Sequence, residues 1–111
     1  MGELSPLQMK TIEQLFVAGF RPIAIPPYES ALCMRRGNCV AMLEPVPSAG
    51  LRLKAPVSYI VQGNFSVRLK RANGEAFVWK KAELPATSER LAELETFRSE
   101  LTEILDTPVA Q

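Results

Sequence analysis

Apolar residues recur at helical spacing near both ends of the chain and at strand spacing between them. Near the N-terminus, Leu7, Ile12, Leu15 and Phe16 form one stripe. Ser5 precedes Pro6 at the first helical position, and Gln8 stands where it completes a capping box, with Leu4 and Met9 spaced as a hydrophobic staple. Gly19 offers a left-handed stop, and Phe20 can then fold back on Leu15. These signals predict a helix over 6–18. At the other end, Leu91, Leu94, Phe97, Leu101 and Ile104 recur at spacings of three and four, which predicts an amphipathic helix over 88–105. Thr87 or Ser88 would cap it, Glu89 suits the positive end of its dipole, and Glu93, Glu100 and Glu103 fall on the solvent side. Residues 106–111, with Pro108, are expected to fray.

Between the helices, 21–81 reads as about six antiparallel strands. Pro22, Pro26 and Pro27 make 21–25 an edge segment, since proline cannot donate to a sheet ladder. Residues 31–43 form a hairpin about Arg35-Arg36-Gly37-Asn38, and 44–50 a loop. A short strand at 51–54 precedes strands at 57–61 and 65–71 around Gly63-Asn64, and Asn73-Gly74 turns the chain into a last strand at 75–80. The expected fold is a single α+β domain, its sheet bent or closed into a small barrel by the helices.

Two registers can be argued from burial. A three-residue loop Ala72-Asn73-Gly74 would set Leu69 opposite Phe77, Val67 opposite Trp79 and Arg71 opposite Glu75, so that every pair agrees in polarity. A two-residue turn at Asn73-Gly74 would put Lys70 and Arg68 against aromatic rings instead. At Gln62-Gly63-Asn64, a three-residue loop sends Val57, Tyr59 and Val61 into the core, whereas a two-residue turn at Gly63-Asn64 puts Tyr59 beside Arg68. Burial favours the first arrangement at both turns.

The net charge of +1 conceals an uneven distribution. Ten Lys or Arg face three Glu between Arg21 and Lys81, whereas seven acids face two Arg between Glu83 and Asp106. The acidic helix is therefore the natural first partner of the basic strands. With 47% hydrophobic and 23% charged residues, the chain has the composition of a globular protein. The lack of a signal-like N-terminus or a long apolar run points to the cytoplasm and away from membranes.

Histidine is absent, which removes the commonest general base and metal ligand. The glycines are dispersed as turn residues, giving no phosphate-binding loop. Cys33 and Cys39 are the only thiols; without histidine they suggest no metal site, and no cofactor motif is present. A three-residue loop ending at Gly37 would set the two cysteines opposite each other, as a disulfide needs, but apolar neighbours and a reducing compartment favour free thiols. The candidate anion or nucleic-acid contacts are Arg35 and Arg36 at a hairpin tip and Arg68, Lys70 and Lys80 along one sheet face, with Tyr59 as a candidate aromatic contact.

The scarcity of catalytic groups favours a non-catalytic binding or assembly module acting through protein contacts or self-association. The alternatives are a nucleic-acid or anion binder using the basic face, and a small enzyme with a site built from Tyr59, Lys54, Glu75 or the cysteines.

Overall fold

The computed structural model describes residues 4–106. Helix α1 (Pro6–Val17) carries the expected capping box: Gln8 N–H donates to Ser5 Oγ at 3.2 Å, and Ser5 N–H donates to Gln8 Oε1 at 2.8 Å. Gln8 does more than cap. Its Nε2 donates toward the carbonyls of Val46, Ala49 and Gly50 at 3.2–3.4 Å, pinning the 46–50 loop to the start of the helix. Because these carbonyls satisfy its amide, Gln8 can be buried, and the inward stripe becomes Gln8, Thr11, Ile12 and Leu15. Phe16 and Met9 are exposed, while Leu4 packs against the core. Gly19 takes a φ of +94° at the helix stop, and Phe20 N–H bonds back to the Leu15 carbonyl.

Nine antiparallel strands among the described residues form two open sheets, not a barrel. The first contains β1 (Arg21–Pro22), β2 (Leu32–Arg36), β3 (Cys39–Pro45), β4 (Leu51–Leu53), β5 (Ser58–Val61) and β6 (Asn64–Phe65). Its order is β1-β2-β3-β5-β6, and β4 also pairs with β3. The second contains β7 (Val67–Arg71), β8 (Gly74–Trp79) and β9 (Ala82–Pro85), in that order. The expected strand at 65–71 is thus two strands in different sheets, parted at Ser66. That crossing is fixed by polar bonds: Ser66 N–H donates to Ser58 Oγ (2.9 Å), Ser58 Oγ–H reaches the Ser66 carbonyl (2.8 Å), and Ser66 Oγ–H donates to the Tyr59 carbonyl (2.6 Å).

Both argued hairpin registers are revised. Arg71 pairs with Gly74 and Arg68 with Phe77, so Ala72-Asn73 is a two-residue turn. Ile60 pairs with Phe65 around Gln62-Gly63, whose φ angles of +49° and +76° are those of a two-residue turn matched to strand twist. Arg36 pairs with Cys39 and Cys33 with Met42, placing the two cysteines on opposite faces of the first sheet as free thiols. Lys80 does not extend the last strand. It sits at a φ of +53° in the turn to β9, a strand the sequence reading did not anticipate.

Helix α2 (Ser88–Asp106) buries Leu94, Phe97 and Leu101. Thr87 Oγ accepts the Arg90 N–H and caps it. The helix includes Asp106; the rest of the expected frayed tail lies outside the described residues. Both helices pack on the face of the first sheet that carries Met34, Cys39, Ala41, Leu43 and Tyr59. Ile25, Cys33, Val40 and Met42 form a smaller core on the other face, which the 23–31 segment helps to cover. No described helix is long and apolar enough to cross a membrane.

Candidate functional site

The change of sheet at Ser66 opens a groove. Its volume is about 880 Å³, and it lies between the β4–β5 connection, the start of β7 and the first half of α2. Val57, Phe65, Phe77, Leu91 and Leu94 supply apolar wall. Lys54, Arg68, Glu95 and Arg98 stand around it as the charged groups of the lining. Arg98 holds the Glu95 carboxylate one helical turn away, keeping that carboxyl below its ordinary range. Arg68 donates to both oxygens of Glu75 at 2.9 Å, which holds Glu75 low in the same way. Lys54 has no ion-pair partner among the described residues.

Above this groove, β7 is the outer strand of its sheet, and all five of its residues are exposed. The observed register gives it two unlike faces. Arg68 and Lys70 share the inner side with Phe77 and Glu75, while Val67 and Leu69 share the outer side with Val78 and Ala76. This inverts the expected arrangement, in which Val67 and Leu69 faced the core: Val67 is 61% exposed and Leu69 38%. The physical reason is that the second sheet gains its burial through β8 and β9. Phe77 stacks on Tyr59 with ring centroids 4.8 Å apart, and Leu84 and Trp79 pack on the same core, leaving β7 overhanging.

The candidate contacts divide among separate elements. Arg68 and Lys70 lie together on β7. Arg36 is committed to the fold: it pairs with Glu100 at 3.0 Å, donates to the Ala18 carbonyl at 3.2 Å and lies 4.5 Å from the Phe20 ring centroid. Arg35 is exposed, and its guanidinium donates to the Gly37 carbonyl of its own turn. Lys80 lies over Trp79. Tyr59 is in the core, as burial argued, and its hydroxyl donates to Glu93 Oε1 at 2.9 Å. Burial, reinforced by that bond and by the Glu93 charge, raises its pKa. Glu93 is accordingly half-buried and bonded, not left to solvent as the helix pattern suggested; its Oε2 also accepts the Asn38 N–H. The basic strands and acidic helix do meet, at Arg36–Glu100, but Arg52, Arg68 and Arg71 find Glu44, Glu75 and Glu83 within the strand region.

Burial pushes the Cys39 thiol up to about 12 and also raises Cys33, so neither presents a ready thiolate. Among the described residues no group of three or more His, Cys, Asp or Glu is arranged to hold a metal ion. The groove was not legible in the sequence, because Phe65, Val67 and Leu69 alternate smoothly through Ser66 and give no sign of a change of sheet. No protein-family model matches the chain, and neither the curated proteins nor the solved structures provide a match.

Proposed function

We propose that this chain is a non-catalytic binding module that receives a protein partner at the apolar, cation-bordered groove beneath β7. The observation that carries this reading is the groove itself: an apolar space of about 880 Å³ with cationic side chains in its lining. Concave apolar sites with a few placed polar groups are where proteins bind ligands and anchor residues. The absence of histidine and the suppressed thiolates remove the usual nucleophiles and bases, which favours binding over catalysis. A cytoplasmic setting fits the two buried free thiols. The nucleic-acid reading loses its stacking group, because Tyr59 is buried, and two of its five cations hold carboxylates.

Anilinonaphthalene sulfonate, an apolar ring system with one anionic group, tests the groove directly. It should bind one-to-one to the folded protein, and Ala55→Trp, which fills the groove from an exposed lining position, should weaken binding at least tenfold at unchanged thermal stability. Equal binding by both proteins would remove the groove from consideration.

A further inference from the structure

We infer that the partner reaches this chain as an extended, acidic segment that adds a strand to the free edge of β7. The inference rests on the reading of the chain as a binding module and specifies its partner. Three features of β7 support it independently of groove volume.

The first is the backbone. A two-residue turn is closed by a pair that exchanges both of its hydrogen bonds, and bonded and non-bonded pairs then alternate along the hairpin. With Arg71 opposite Gly74, the bonded residues of β7 are Arg71, Leu69 and Val67. The N–H and C=O groups of Arg68 and Lys70 therefore point to the open edge. No backbone bond from elsewhere in the described chain reaches them. An edge of this kind is a template for one more strand.

The second is the division of side chains. Val67 and Leu69 are exposed on the outer side, where apolar side chains of an added strand would extend their row and remove it from water. Arg68 and Lys70 stand on the other side, where the alternate side chains of the same strand would arrive. The segment that fits alternates apolar residues with carboxylates.

The third is charge. A second copy of β7 laid antiparallel and centred on Leu69 would set Arg68 against Lys70, a like-charge contact that disfavours self-pairing. Lys70 makes no close ion pair among the described residues, although Glu75 opposite it feels its charge; Lys54 lies unpaired in the groove lining near the start of β7, where Arg98 holds Glu95. A carboxylate-bearing strand is attracted by the two lysines, which hold no close carboxylate of their own among the described residues.

The experiment uses the full chain at pH 7.5 and an eight-residue peptide alternating valine and glutamate, blocked at both ends. Expected are amide shifts at Arg68 and Lys70 with slowed hydrogen exchange of their N–H groups, and binding weakened severalfold by Lys70→Glu and by salt. Residues opposite Arg68 and Lys70 turn their own N–H groups toward β7, and these are the glutamates. N-methylation of the glutamate amides should therefore weaken binding at least tenfold, while N-methylation of the valine amides leaves it intact. Equal binding by the two methylated peptides, equal binding by a valine–lysine peptide, dimerisation through β7, or no binding overturns the inference. If the sulfonate probe still binds the groove in that case, only the strand addition fails; if neither binds, the groove reading fails with it.

Discussion

Raising the pH above 9 should weaken the fold through one thiol, that of Cys39. Its side chain is fully buried in the main core. Burial is the chief cause that raises its pKa from 9.0 to about 12; the Glu93 carboxylate adds to the effect and the Arg36 guanidinium opposes it. The folded value exceeds the unfolded one, so the contribution to stability is complete below pH 9 and is lost as the pH rises toward 12. Each tenfold difference in proton affinity corresponds to about 1.4 kcal/mol, so at pH 10.5 about 2 kcal/mol should be gone relative to pH 7. The comparison is with Cys39→Ala, which opens a small cavity and loses stability by an amount that does not vary with pH. Cys33 and Tyr59, also raised, titrate in both proteins and cancel. Urea unfolding under reductant at pH 7, 9 and 10.5 gives the two slopes. If Cys39→Ala loses as much stability between pH 7 and 10.5 as the unmodified chain, the reasoning about this thiol is wrong.

Two further outcomes follow from side chains that join distant segments. Gln8→Ala removes half of the capping box and the donor to three loop carbonyls, and should cost about 1–3 kcal/mol in thermal or urea unfolding; a loss under about 0.5 kcal/mol would mean that water replaces those bonds freely. Arg36→Ala should cost about 2 kcal/mol, because it removes a cation–ring contact and a carbonyl bond as well as an ion pair, whereas Glu100→Gln should stay within about 0.5 kcal/mol. Equal losses in the two variants would assign the effect to the exposed ion pair alone.

Both helices and the approximate positions of most strands could be read from the sequence because their signals are local. Ser5, Pro6, Gln8 and Gly19 mark α1 by backbone chemistry that no distant residue overrides. The turn registers depended instead on a global assumption, that every strand from Val57 to Trp79 faced one core. The chain changes sheets at Ser66, so Val67 and Leu69 need not be buried, and Phe77 reaches Tyr59 from the side that also carries Arg68. Arg68 is accommodated there by Glu75, a partner that only the observed register brings into reach. Of the candidate site residues, Arg68 and Lys70 do border the free edge, but Lys54, Arg98 and the apolar wall come from separate parts of the chain.

Strand β3 engages three neighbours along seven residues: β2 throughout much of its length, β4 near Pro45 and β5 near Cys39. Its first five residues are all buried, with Cys39, Ala41 and Leu43 in one core and Val40 and Met42 involved in the other. Inserting a single residue here would exchange those two sets while upsetting three pairings at once. Since both sets are apolar, water would not penalise the exchange; only shape would, through Ala41 replaced by a larger neighbour against the helices. The strand is therefore a ruler for the whole molecule, tolerant of changes that conserve volume and intolerant of any change in its length.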